Sequence, residues 1–139
     1  MPGKRSLRIV IDTNLWISFL ISKSFQKLDF IISTNSPKIY FSTELLEELR
    51  DSILKPKLSK HFGIDSIEEM LEALSDYIEI VTIKSEVNIC RDHKDNFVLA
   101  LCKNAKADYL LTGDNDLLEL KKFGKTQIKT IADFISETK

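Results

Sequence analysis

The chain has few of the residues that build disulfide-linked, zinc-binding or disordered proteins. Its two cysteines, Cys90 and Cys102, lack CxxC spacing, and its two histidines, His61 and His93, are too few for a zinc cluster. We expect both cysteines to be buried free thiols, as in a reducing cytoplasm. Only 4 glycines and 3 prolines argue against a disordered or low-complexity chain.

Long hydrophobic runs and a strong net charge are also missing. No stretch approaches the roughly 18 apolar residues of a membrane span, and the first residues do not predict a signal peptide. The formal net charge is -1, so overall charge does not point to nucleic acid, although acids gathered at one site would leave the remaining surface more basic. Two local basic runs stand out, and such runs are usually solvated surface. One consists of Lys55, Lys57, Lys60 and His61, and the other of Lys121, Lys122 and Lys125.

The residues that are present predict an α/β fold. At 139 residues, with 43% hydrophobic residues, the chain is most simply one domain over residues 1–139. Strands near 7–11, 38–41, 79–83, 108–112 and 127–131 alternate with helices near 14–22, 24–35, 43–54, 65–77, 95–105, 115–121 and after 131. This alternation predicts a largely parallel sheet covered by helices on both faces. Ser42 or Thr43 is expected to cap the helix at 43–54.

Two of the short apolar strands end on carboxylates. Asp12 follows the first strand, and Asp114 and Asp116 follow the strand at 108–112. The carboxyl ends of strands are where open α/β sheets place their sites, and clustered carboxylates repel unless a cation holds them. Asp12 could instead be only a helix N-cap, and turn chemistry alone explains one of the other two acids.

Two further acids are candidates for the same site. Asp95 precedes the apolar helix that includes Phe97 to Cys102, where it could be only an N-cap or could also point into a cleft. On the helix at 43–54, Glu48 lies roughly 115° from the centre of the apolar face, against roughly 145° for Glu47 and 155° for Glu44. Glu48 is therefore the acid nearest the core boundary, where a site carboxylate would emerge.

The chemistry of this set of acids is that of a hard cation. Oxygen ligands without cysteine or histidine suit Mg²⁺ or Mn²⁺, which keep open positions for water and substrate phosphates. Such a site fits phosphodiester hydrolysis. The sequence has no G-x-S-x-G elbow, no phosphate-binding P-loop and no G-x-G-x-x-G motif.

At these residues the chain resembles the PIN-domain nucleases, and most closely their branch of toxin components from toxin–antitoxin pairs. Four segments carry the resemblance: Asp12-Thr13-Asn14, Ser42 to Leu49 with Glu48, Arg91 to Asp95, and Thr112 to Leu118. The resemblance runs from Arg8 to about Phe134. One departure is His93, where members near this branch often carry proline.

The resemblance implies a single PIN-like domain, a twisted parallel sheet of about five strands, and Mg²⁺- or Mn²⁺-dependent cleavage of single-stranded RNA. It further implies a homodimer and a possible antitoxin partner, while the cytoplasmic location is expected from the two unpaired cysteines. By matching positions, Asp12, Glu48, Asp95 and Asp114 would be the catalytic and metal-binding acids, with Asp116 as an auxiliary acid and Thr13, Asn14 and Thr112 as supporting residues.

Three other functions compete with this interpretation. A PIN-like module could bind RNA or a partner protein without cutting it, although every matched acid is present. Phosphatases of the haloacid dehalogenase type carry an Asp-x-Asp motif after the first strand. This chain has Asp12, but its residue 14 is asparagine. A nuclease for flapped or branched DNA would need a helical arch for which the chain looks too short. Lys55, Lys57 and Lys60 are the candidate contacts for a nucleic-acid backbone.

Overall fold

Six strands form one sheet in a computed structural model that describes residues 6–22, 25–60, 65–84 and 93–138. The elements, in chain order, are β1 (Arg8–Ile11), α1 (Thr13–Ser22), α2 (Gln26–Asn35), β2 (Lys38–Phe41), α3 (Thr43–Ile53), α4 (Pro56–Ser59), α5 (Ser66–Ala73), β3 (Ile78–Ile80), α6 (His93–Ala105), β4 (Tyr109–Leu111), α7 (Asn115–Leu120), β5 (Lys122–Phe123), β6 (Thr126–Lys129) and α8 (Ile131–Thr138).

The strand order across the sheet is β3-β2-β1-β4-β6-β5. All neighbours are parallel except β5, which pairs antiparallel with β6. The α/β fold with a mostly parallel sheet is confirmed. The sixth strand, β5, was not predicted because two residues are too short to show an alternating pattern.

Strand β1 lies at the centre of the sheet because its side chains suit burial on both faces. Ile9, Val10 and Ile11 are almost wholly excluded from solvent. From β1 the chain moves outward through β2 to β3, and later through β4 to β6 on the other side. The strand order therefore reverses between β1 and β4, which is the switch point where open α/β sheets form their crevice.

Several element boundaries differ from the sequence predictions. The helix expected over 65–77 is α5, which ends at Ala73, and the strand expected over 79–83 is the three-residue β3. Pro56 is the first residue of the short helix α4, where the missing proline N–H has no partner to lose.

Cys102 is a buried free thiol, as expected, while Cys90 and His61 lie outside the described residues. Within the part of the chain that the structure describes, no helix is long and apolar enough to cross a membrane.

The cap of α3 gives a direct test of the local structure. The Ser42 hydroxyl accepts a hydrogen bond from the Leu45 N–H at 3.0 Å, whereas Thr43 is the first residue of the helix and is exposed. We expect Ser42→Ala to lower the free energy of unfolding by about 1 kcal/mol because it leaves that N–H unsatisfied. Thr43→Ala is the control and should change it much less. Equal losses in urea denaturation would contradict the assignment of Ser42 as the cap.

Candidate metal centre

Asp12 lies at the point where β1 turns into α1. Its backbone N–H donates to the Leu111 carbonyl at 3.0 Å, which extends the pairing of β1 with β4 by one residue. Its own carbonyl accepts the N–H groups of Leu15 and Trp16, each at 3.1 Å, and so begins the helix. The strand and the helix together hold the Asp12 carboxylate at the edge of the sheet with a relative exposure of 6%.

The Thr112 hydroxyl joins the acids of the two strands. It donates to Asp12 Oδ2 at 2.7 Å and accepts the backbone N–H of Asp114 at 3.0 Å. Thr13 and Asn14 also hold the Asp12 carboxylate, through their backbone N–H groups. The Thr13 hydroxyl is buried and has no hydrogen-bond partner among the described residues, so the support from Thr13 is from its backbone.

Asp114 caps helix α7. Its Oδ1 accepts the N–H groups of Asp116 at 2.8 Å and of Leu117 at 3.4 Å. Capping therefore accounts for one oxygen of Asp114, while Asp116 lies in the first turn of α7 with its side chain exposed. The turn and the helix orient the two carboxylates beside the end of β1.

Asp95 completes a group of three carboxylates. One oxygen from each of Asp95, Asp114 and Asp116 lies within 4.8 Å of the other two. Asp95 comes from α6, which begins at His93, so it lies in the first turn of the helix; the interpretation of Asp95 as the N-cap of this helix was wrong. We call these three residues the acidic trio.

A cavity of about 210 Å³ opens beside the acidic trio. Acids from four elements or turns reach it, together with polar and apolar side chains, and the lining residues are Asp12, Asn14, Ile17, Glu48, Ser52, Lys55, Leu58, Asp95, Val98 and Asp114. The structure thus brings the four predicted metal-site acids to one cavity. Asp116 does not line the cavity, but its carboxylate lies close to two acids that do, Asp95 and Asp114. Of the described acids that line the cavity, Asp12 and Glu48 are not members of the acidic trio.

Helix α3 supplies Glu48 as the helical angles predict. The side chain of Glu48 is partly buried, whereas Glu44 and Glu47 are exposed. Sequence reasoning missed Ser52, a buried residue one turn after Glu48 that also lines the cavity. The four-residue spacing from Glu48 is the signal that could have found it.

Of the three candidate lysines near α3, Lys55 alone lines the cavity. It sits at the start of α4, where its carbonyl accepts the N–H groups of Leu58 and Ser59 at 2.9 Å each. Lys57 and Lys60 are exposed and lie away from the lining.

The electrostatics of the cavity fit a bound cation. Burial raises the pKa of Asp12 above its ordinary value, and the nearby charge of Asp114 raises it further, against the lowering effect of the hydrogen bonds from Thr112, Asn14 and Thr13. The donor set consists of carboxylate and other oxygen atoms, which suits a hard divalent ion. Burial raises the pKa of the Cys102 thiol, with a contribution from Asp12, so this cysteine stays protonated and is not a ligand.

A second, larger cavity lies at the other edge of the sheet, beside the end of α6 and the start of β6. It measures about 340 Å³ and is lined by Lys103, Lys106, Lys125 and apolar neighbours. No acid lines it, and Lys125 forms an ion pair with Asp108 at 3.1 Å. Although this cavity is the larger of the two, the clustered carboxylates make the smaller one the candidate active site.

The fold and the acidic cavity at the switch point define a nuclease-like α/β protein with a group of carboxylates compatible with metal binding. Residues 8–116 match the family model of the PIN domain. The chain belongs to the PIN-domain family. It is also similar to the uncharacterized protein MJ1680 of Methanocaldococcus jannaschii, with 32% identity over 146 residues that cover 96% of this chain and 93% of that protein.

The raised pKa of Asp12 predicts a pH-dependent gain in stability for Asp12→Asn. Folding raises this pKa, so the charged carboxylate destabilises the folded protein at pH values above the folded pKa, and this penalty vanishes below the unfolded pKa. Asparagine has no such charge and still offers an oxygen to Thr112. In EDTA, the variant should therefore equal or exceed the wild type in melting temperature at pH 8, with the difference shrinking toward pH 4. A variant that is less stable than the wild type by a larger margin at pH 8 than at pH 4 would contradict this.

Proposed function

We propose that the chain is an endoribonuclease that uses Mg²⁺ or Mn²⁺ to hydrolyse phosphodiester bonds of single-stranded RNA. The observation that carries this proposal is the acidic trio beside a cavity that is also lined by Asp12 and Glu48. Membership of the PIN-domain family supports it, because PIN domains are generally metal-dependent nucleases.

We assign the metal-holding role to the four acids that line the cavity, Asp12, Glu48, Asp95 and Asp114, and an auxiliary role to Asp116. Thr112 keeps the Asp12 carboxylate turned toward the end of β4 through its 2.7 Å hydrogen bond. Thr13 and Asn14 fix the same carboxylate by their backbone N–H groups. The side chains therefore hold their positions despite their mutual repulsion.

A divalent ion held there would lower the pKa of a bound water and neutralise charge on the phosphate. Hydrolysis joins a water oxygen to phosphorus and breaks the bond from phosphorus to one sugar oxygen, which leaves with a proton. A carboxylate oxygen that does not bind the ion is suited to accept a proton from water, and Lys55 is suited to contact a phosphate oxygen at the rim.

The resemblance to toxin components extends the proposal to the biological setting. We propose an antitoxin protein as a binding partner, a homodimer as the assembled form, and the cytoplasm as the location. The partner and the dimer rest on the resemblance of the sequence segments named above, and the location rests on the cysteine usage.

The experiment that tests the activity incubates the purified protein with mixed single-stranded RNAs and DNAs in Mg²⁺, Mn²⁺ or EDTA. We expect internal cleavage of RNA with either metal and none in EDTA. Glu48→Gln should reduce cleavage about 100-fold, because it removes a cavity carboxylate. Glu47→Gln, on the exposed side of the same helix, is the matched control and should be near wild type. RNA binding without cleavage in any metal would favour the non-catalytic alternative.

Lys55 and Lys57 form a second matched pair. Lys55 lines the cavity and Lys57, two residues on, does not. Lys55→Ala should weaken RNA binding at low salt and reduce the slope of log affinity against log salt by about 0.7, as for one lost contact to a single strand. Lys57→Ala should leave the slope nearly unchanged. A slope for Lys55→Ala that equals the wild-type slope would assign Lys55 to solvated surface and contradict its contact with the RNA backbone.

A further inference from the structure

One exposed aromatic side chain lies on α6, the helix that carries Asp95. Phe97 follows Asp95 by two residues on α6 and has a relative exposure of 40%, whereas Val98 and Leu99 beside it are buried. Five other large apolar side chains are also exposed in the described part of the chain, namely Ile21, Phe30, Leu54, Ile80 and Leu120. Phe97 lines a surface depression together with a site acid, Glu48.

The position of Phe97 relative to the cavity is set by the packing of α3 against α6. The depression that Phe97 lines also includes Ser42, Leu45 and Leu101, and it shares Glu48 and Val98 with the acidic cavity. The Phe97 ring therefore borders the cavity on the side of the first half of α3. Lys55 lines the cavity beyond the other end of α3.

The charge of the cavity creates a binding problem that an aromatic ring can solve. Four carboxylates and one lysine line the cavity, so in the absence of a bound cation its side chains repel a phosphate backbone. Stacking of a nucleobase on an aromatic ring adds affinity that does not depend on the sign of the surrounding charge. It also requires an unpaired base that can turn out of the strand.

We propose that Phe97 is a stacking platform for the nucleobase beside the phosphate that is cleaved, and that this contact makes the site specific for unpaired nucleotides. The inference rests on the proposed function because it places the strand in the acidic cavity. It names Phe97 as a residue that binds substrate, with Lys55 contacting the backbone at the opposite end of α3.

The test uses a short single-stranded RNA with a fluorescent label, together with copies in which one base at a time is replaced by an abasic site. Binding is measured by anisotropy in the Asp12→Asn background, so that cleavage does not interfere, and cleavage is measured in the wild-type background. Phe97→Leu keeps an apolar side chain and removes the ring, and Phe97→Tyr restores a ring. Phe30→Leu is the matched control, because Phe30 has a relative exposure of 38% and lies on α2, outside both the depression and the cavity.

We expect Phe97→Leu to weaken binding of the intact RNA by about 5- to 150-fold, the range for one lost stacking contact. The Michaelis constant should rise with much less change in kcat, and Phe97→Tyr should recover most of the affinity. For the RNA that is abasic at the stacked position, the parent protein and Phe97→Leu should bind equally. Phe30→Leu should match the parent on every RNA.

A second variant guards against a loss of folding in Phe97→Leu. In Phe97→Trp, the new indole should change its emission on binding intact RNA and not on binding the RNA that is abasic at the stacked position. The natural Trp16 is fully buried and supplies a constant background. If the emission of the introduced indole changes equally with the intact and the abasic RNA, or with neither, the inference is overturned.

The outcomes separate this inference from the proposed function. If the wild type cleaves RNA but Phe97→Leu binds like Phe30→Leu, the stacking inference is wrong and the nuclease proposal stands. If the wild type binds RNA in a Phe97-dependent and base-dependent way but never cleaves it, the nuclease proposal is wrong, and Phe97 remains a stacking platform of an RNA-binding site without a cleaved phosphate beside it. If Phe97→Leu instead converts a dimer to a monomer in sedimentation without a base-specific effect, Phe97 is a subunit contact and the inference is overturned.

Discussion

The parallel pairing of β1 with β4 is the constraint on which the candidate site depends. It places the carboxyl ends of two strands that are about 100 residues apart in the sequence at one edge of the sheet, with Ile11 opposite Leu111. The Asp12 N–H continues this pairing by bonding to Leu111, and the Thr112 hydroxyl then connects the Asp12 carboxylate to the Asp114 backbone. Helices α3 and α6 add Glu48 and Asp95 to the same cavity. A shift of one residue between β1 and β4 would turn Asp12 to the other face and separate the acids.

The carboxylates that make the site suitable for a cation also lower the stability of the folded protein without one. Asp12 is almost fully buried, and its pKa is raised by that burial and by the nearby Asp114, so its ionised form is disfavoured in the folded protein. The hydrogen bonds from Thr112 and from the backbone of Thr13 and Asn14 oppose this effect in part. A cation that binds the folded state and not the unfolded chain would offset the remaining repulsion. Buried like charges held close together by backbone geometry are typical of sites that select function over maximal stability.

The sequence predicted the parts of this arrangement that depend on local pattern. Periodicity predicts the short apolar strands with acids at their ends, and the described structure agrees. It also predicts that Glu48 lies nearer the buried face of α3 than Glu44 and Glu47, as the structure shows. Parts that depend on packing between distant segments were not predictable. The contact of α3 with α6 decides that Ser52 and Lys55 line the cavity and that Phe97 borders it, and no spacing within either helix shows this contact. The two-residue β5 and the start of α6 at His93 lack a pattern long enough to fix their boundaries.

The central claim, that these carboxylates form a divalent-metal centre, is tested most directly by the thermal stability of the purified protein with Mg²⁺ or Mn²⁺ and with EDTA, at pH 8 and at pH 5. Binding to the folded state alone raises the melting temperature, and the carboxylates must be deprotonated to bind the ion. Because burial and Asp114 raise the pKa of Asp12, protons compete better with the metal at the lower pH. We predict a metal-induced rise in melting temperature that is larger at pH 8 than at pH 5. No rise with either metal, or a rise that is larger at pH 5, would contradict the assignment of a metal centre.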